Sequence, residues 1–136
     1  MPKSVSDITS EKQVLQLLEE NALLKGIIQG ASDAVYAKDL EGRYLIINEA
    51  GAKYLDKTAK EVIGKTDVEL VGEEIGRPIM DRDRELYVTE KSVSYDSVGK
   101  FNIGNKYFST TKSPFRNKEG KVVGLAGISR DETDAK

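Results

Sequence analysis

NKYFSTTKSPFRNKEGKVVGLAGISR, residues 105–130, is the stretch whose reading decides the fold. It reads as two antiparallel strands joined by a polar turn. Tyr107 to Phe115 mixes aromatic and β-branched residues in near alternation, the pattern of a pleated, half-buried surface. Val122 to Ser129 is almost wholly small and apolar. Such a run suits a central strand covered on both faces, or one whose glycines let another group approach the backbone. Asn117-Lys118-Glu119-Gly120 supplies the turn, with Gly120 free to take a positive φ. Pro114 has no amide hydrogen, so the first strand is expected to stop pairing near it.

The same strand suggests a pocket. Tyr107, Ser109, Thr111, Ser113 and Phe115 share one face, and Phe108, Thr110 and Lys112 the other. Lys112 marks its own face as outward, which leaves the hydroxyl-lined face toward a cavity. With Tyr36 from an earlier segment, Tyr107, Ser109 and Thr111 then form a mixed polar and aromatic lining for a small organic ligand. The same residues also suit a plain packed core with satisfied hydroxyls.

Composition narrows the functions open to these 136 residues, enough for one domain with extensions. Lys and Arg number 21 against 23 Asp and Glu, a net charge of -2, so no basic excess points to nucleic acid or anionic lipid. No apolar run reaches the roughly 20 residues of a membrane span, and no signal-peptide hydrophobic segment opens the chain. The chain has no Cys and no His. That removes disulfides, thiolate and imidazole metal sites, Cys nucleophiles and His general bases. A cytoplasmic location is the default expectation.

Residues 1–9 read as a polar, aperiodic tail. Ser10, with Gln13 three residues on, looks like a capping box opening a helix that Gly30 ends. Val14, Leu17, Asn21, Leu24 and Ile28 follow a 3-4-3-4 spacing, a short heptad seam with Asn at one seam position. Leu15, Leu18, Ala22 and Ile27 widen it, so the helix suits packing on its own domain as well as pairing with its twin. The Asn, which costs stability and fixes register, favours a homodimer.

Beyond Gly30, Ala34 to Lys38 and Arg43 to Ile47 read as a hairpin about Asp39-Leu40-Glu41-Gly42. Asn48 and Thr58 read as caps of short helices, and Gly64, Gly72 and Gly76 predict interrupted turns. Pro78 is expected in the first turn of a helix running to about Glu90. Asp83 lies on its apolar face with Ile75, Ile79, Leu86 and Tyr87. A carboxylate there needs a partner, which makes Asp83 and the neighbouring Tyr87 candidates for contact with a polar ligand. The plainer alternative is a backbone amide or an Arg. Val93 to Phe101 is the third strand, with Gly104-Asn105 as a two-residue turn. Two hairpins around a helical insertion predict an α+β fold, a five-stranded antiparallel sheet with helices on one face.

In this order the segments resemble a PAS domain, the sensory module of bacterial signalling proteins such as sensor histidine kinases. SDAVYAKDLEGRYLIINEAG resembles the first hairpin and Asn-led helix, and KEVIGKTDVEL the middle turns. DRDRELYVTEKSVSYD resembles the long helix and its exit, and SPFRNKEGKVVGLAGISRDET the last hairpin with its Asp-x-Thr signature. The resemblance covers about residues 31–133 and implies a sheet of order 2-1-5-4-3 cupping a pocket. It implies the organisation 1–9 tail, 10–30 amphipathic helix, 31–130 core and 131–136 exit linker. Asp131 and Thr133 would relay the signal, although Glu132 stands where the family usually has Ile or Val. An effector domain is expected beyond Lys136 in a longer parent protein. Lacking Cys and His, the chain departs from members that form a thiol–flavin adduct or ligate haem through His; a non-covalent small molecule remains open, its identity unknown. A ligand-free docking module is the alternative. An enzyme using Asp81, Asp83 or Glu85 is disfavoured, because DRDRE looks like a solvated helix face and no nucleophile or phosphate-cradling loop accompanies it.

Overall fold

The computed structural model describes residues 5–101 and 104–135, and the chain divides into two units at Gly30/Ala31. The first unit is one helix, α1 (Val5–Gly30). It starts upstream of Ser10, which lies within it, so residues 5–9 belong to the helix and not to a tail. Val14, Leu17 and Leu24 are each more than half exposed, Asn21 is exposed, and Ile28 is half-buried.

The second unit begins with β1 (Ala34–Asp39) and β2 (Tyr44–Ile47), antiparallel and closed by an Asp39 turn. Asn48 is the cap of α2 (Glu49–Tyr54), its side chain accepting from Gly51 N. It is wholly buried, and it also accepts from Val35 N at 3.1 Å and donates to Asp33 O at 2.8 Å. One side chain thus caps a helix and ties it to the hairpin. Thr58 and Glu61 form a reciprocal capping box on α3 (Ala59–Val62). α4 (Asp67–Val71) follows, capped by Thr66.

α5 (Glu73–Thr89) starts earlier than its sequence suggests. Gly76 donates a helical hydrogen bond to Gly72 O at 2.8 Å and does not interrupt the helix, so Pro78 sits inside it and not in its first turn. Glu73 and Glu74 occupy that first turn, where acidic side chains favour helix initiation.

β3 (Val93–Phe101), β4 (Gly104–Arg116) and β5 (Val122–Asp131) complete the sheet, whose order is β2-β1-β5-β4-β3 with every pairing antiparallel. Gly104 and Asn105 are strand residues paired with Phe101 and Lys100, so they do not form the two-residue turn expected there. Pro114 ends pairing on one side only: β3 leaves β4 at Lys112, whereas β5 stays paired with it to Arg116, with a register shift between Phe115 and Arg116. Gly120 takes φ +81° in the connecting turn. β5 is central, between β1 and β4. Its Gly127 lies opposite Tyr36, and a Cβ there would come within 2.4 Å of the Tyr36 ring. The glycine-rich strand therefore lets an aromatic ring lie against its backbone. Tyr36, Tyr44, Ile47, Ala52, Val62, Leu86 and Leu125 form the apolar core.

Candidate functional site

The face that β4 turns inward carries Phe108, Thr110 and Lys112, all buried. Tyr107 and Thr111 are exposed and Ser109 is half-buried on the opposite face, where Thr111 Oγ1 bonds Ser94 Oγ at 3.0 Å. The expected pocket face is thus the outer one, and Tyr107, Ser109 and Thr111 do not line the cavity. The lysine is the reason for the reversal. Lys112 is only 3% exposed because its ammonium donates to Asp83 Oδ1 at 2.7 Å.

Asp83 is the centre of a buried ion network. Its second oxygen accepts from Lys38 Nζ at 2.8 Å, and Lys38 also donates to Asp67 Oδ2 at 2.6 Å. Tyr44 Oη completes the chain by donating to Asp67 Oδ1 at 2.8 Å. All four oxygens of the two carboxylates are therefore bonded, and two positive and two negative charges are held together inside the fold. Secondary structure explains the convergence. Lys38 comes from β1, Lys112 from β4, Asp67 from the start of α4 and Asp83 from the inward face of α5. The partner that Asp83 requires is a pair of lysines, not Arg, a backbone amide or a ligand.

Electrostatics keep both lysines charged. Burial opposes the Lys38 charge, but Tyr44, Asp67 and Asp83 outweigh it and hold the ammonium's pKa well above the ordinary lysine value. Burial likewise opposes Lys112, as does Lys38, while Tyr36, Asp83 and Tyr95 more than offset both and raise its pKa. Burial pushes the Tyr36 and Tyr44 phenols up as well. Aromatic rings frame the cations. Lys38 Nζ lies 4.9 Å from the Tyr44 ring centre and Lys112 Nζ 5.6 Å from that of Tyr95.

A cavity of about 440 Å³ opens against this network. Its polar wall holds Tyr36, Lys38, Lys112, Thr110 and Ser129; its apolar wall includes Ile47, Ile75, Ile79 and Phe108. Tyr36 Oη and Thr110 Oγ1 both bond Ser129 Oγ, at 3.2 and 2.9 Å. Exposed residues Glu74, Pro78, Arg82 and Val98 mark the mouth. Arg82 stacks over Tyr95 at 4.1 Å. Among the described residues no group of three or more Asp or Glu is arranged to hold a metal.

Of the residues expected at the site, Tyr36 lines the cavity and Asp83 stands behind it, holding two cavity lysines in place. Tyr87 does not line it; its hydroxyl donates to Asp39 O at 2.8 Å and ties α5 to the end of β1. Asp81 and Glu85 are exposed on the outer face of α5, where Asp81 pairs with Arg84 at 3.0 Å. Lys38, Tyr44, Asp67, Arg82, Tyr95 and Lys112 are site residues that sequence reasoning missed. Two signals point to them: a lysine inside each of two strands, and a carboxylate on an apolar helix face with no local partner.

Asp131 and Thr133 lock the end of β5. Asp131 Oδ1 accepts from Thr133 N at 2.9 Å and from the Thr133 hydroxyl, and Tyr107 N donates to Thr133 Oγ1 at 3.2 Å. The Thr133 hydroxyl and amide hold the Asp131 carboxyl below its usual range. Tyr54, which lines the cavity and packs edge-on against Phe108 at 4.9 Å, donates to Asp131 Oδ2 at 3.1 Å.

Known proteins share this fold. A family model described as the PAS fold matches residues 29–136. The chain is 27% identical over 129 residues to the methanogenesis regulatory histidine kinase FilI of Methanothrix harundinacea, covering 95% of this chain and 14% of the kinase. It is 29% identical over 103 residues to a diguanylate cyclase of Vibrio cholerae, covering 74% of this chain and 32% of the cyclase. The chain thus spans less than a third of either relative. Among solved structures, VqmA of Vibrio cholerae in complex with ligand and DNA superposes with a TM-score of 0.74 at 24% identity, over 83% of this chain and 51% of VqmA. No helix among the described residues is long and apolar enough to cross a membrane. With its strand order, inserted helices and matched family model, the chain belongs to the PAS fold family and is a PAS sensory domain related to those of histidine kinases and diguanylate cyclases.

Proposed function

We propose that this PAS domain binds a small molecule in the cavity and passes the occupancy to an effector domain of a longer, cytoplasmic parent protein. The observation that carries this reading is the cavity itself, which is bounded by buried, fully charged lysines where a well-packed apolar set would be at least as stable. Its volume falls within the range of about 300–1,000 Å³ usual for small-molecule sites. VqmA, of matching fold, is found with a ligand and DNA, and supports a ligand here by analogy.

The route out is short. Tyr54 belongs both to the cavity wall and, through Asp131, to the exit from β5. A ligand that moves Tyr54 changes the anchoring of Asp131 and Thr133, provided it binds two arrangements with different affinity. At the other end, α1 offers Val14, Leu17, Asn21, Leu24 and Ile28 to a second copy, making the signalling unit a homodimer. The exposed leucines of α1 also favour a second reading, a ligand-free docking module. The two separate in one experiment. Native mass spectrometry of protein purified from cells, with a thermal-shift screen of metabolites, is expected to find a bound or stabilising small molecule; a bare mass and no stabiliser would leave the docking module.

A further inference from the structure

The hydrogen-bond inventory of the cavity wall is unbalanced, and the imbalance describes the missing partner. A protonated lysine has three N–H donors and no acceptor. Lys38 places two of them on Asp67 and Asp83, and its third lies near the ring faces of Tyr36 and Tyr44. Lys112 places one, on Asp83, and lies 5.6 Å from the Tyr95 ring centre, so its other two donors have no hydrogen-bond acceptor among the described residues. Each oxygen of Asp67 and Asp83 already accepts one hydrogen bond, and none is within bonding geometry of a further Lys112 donor. The wall asks for acceptors.

Charge sharpens this. Lys38, Lys112, Asp67 and Asp83 cancel, and Arg82 adds one positive charge at the mouth without a carboxylate partner among the described residues. Arg82 and Lys112 both lie beside the ring of Tyr95, 4.1 and 5.6 Å from its centre. Glu74 shares the mouth and, like Arg82, is exposed, so water screens both and the buried Lys112 ammonium is the stronger attraction for a ligand's negative charge. One negative charge on the ligand is matched. A phosphate group, at about -1.5 to -2, exceeds what the wall can neutralise, and a neutral amide forgoes the charge-assisted bonds that are roughly twice as strong. The lining also includes Ile75, Ile79 and Phe108, which accept only an apolar body.

We propose that the cavity takes a small organic monocarboxylate, its carboxylate on Lys112 and Arg82 and its apolar or aromatic body against Ile75, Ile79 and Phe108. This deepens the sensor reading and rests on it. Lys112→Met would leave Asp83 half-paired and endanger folding, so the informative variant is Arg82→Ala, at an exposed position. Isothermal titration of the full chain with benzoate, phenylacetate and isovalerate, each beside its primary amide, provides the test. Carboxylates are expected to bind and to raise the melting temperature while their amides do not. Arg82→Ala should weaken carboxylate binding by about tenfold or more, the size of a lost hydrogen bond to a charged group, and lower the unliganded melting temperature only by the small amount that an exposed stack on Tyr95 contributes. Amides that bind as well as the acids, or carboxylate affinity indifferent to Arg82→Ala, would overturn the monocarboxylate assignment while the sensor reading stands. If neither kind binds and protein purified from cells carries no small molecule, the sensor reading falls with it.

Discussion

The two units of this chain invert each other's polarity. In α1 the apolar side chains of Val14, Leu17 and Leu24 are 55–59% exposed, whereas the PAS core buries Lys38, Asp67, Asp83 and Lys112 at 1–3% exposure. A stripe of exposed leucines on a helix gains stability only when something covers it. A buried charge network, by contrast, gains little stability over a packed apolar set and costs heavily when one member is lost. Under the proposed function the helix serves association and the network recognition, its desolvation offset by the donors it fixes in the cavity wall.

Removing Asp83 breaks the comparison most forcefully. Asp83→Ala strands the Lys112 ammonium in the interior, leaves Lys38 with Asp67 alone, and is expected to cost about 3–5 kcal/mol in denaturant unfolding. A loss below about 1 kcal/mol, the level of a surface pair, would mean the network is solvated and the contrast with α1 is false. Alkaline titration probes the same groups without mutation. Lys38 and Lys112 have folded pKa values above the ordinary 10.5, and Tyr36 and Tyr44 above the ordinary 10.0. The native state therefore holds protons that the unfolded chain releases, so the contribution is whole below about pH 10 and is lost as pH rises through the folded values. Denaturant midpoints measured from pH 8 upward should fall beyond 10; a flat profile would show that the folded chain holds no extra protons.

That network marks the boundary of what the sequence makes legible. The strands, the hairpins and the Asn48 cap can be read because alternation, turn residues and a capping side chain act over a few neighbours; the sheet order follows only from the resemblance of the ordered segments to a PAS domain. The two faces of β4 cannot. Phe108 argues for turning its face inward and Lys112 for turning the same face outward, and only Asp83, 29 residues away, decides for the interior. Asp83 itself reads as needing a partner; its two lysines lie on β1 and β4, and no local pattern joins them. The start of α5 is hidden for a local reason, since Gly76 and Pro78 look like breakers while their neighbours continue the helix.

A smaller change sharpens the comparison at the route between cavity and exit. Tyr54→Phe keeps the ring against Phe108 and removes the bond to Asp131, so the expected stability loss is about 1 kcal/mol. Its more direct signature is the Asp131 carboxyl, whose pKa is held down first by Thr133 and then in part by Tyr54. NMR titration should find it moved up toward its ordinary 3.8, and an unmoved value would remove Tyr54 from the relay.

The smallest effect on the core is expected from the largest chemical change to the helix. Leu17→Asp with Leu24→Asp places two carboxylates on the α1 seam, where a paired copy would have to desolvate four of them close together. Light scattering should then give a monomer in place of a dimer, and the core's denaturant midpoint, away from effects of association, should stay where it was. A dimer that survives would move the pairing surface off α1. A core that unfolds earlier as a monomer would show that the leucines are covered by their own domain, and the division of labour between an associating helix and a recognising core would fail at its first premise.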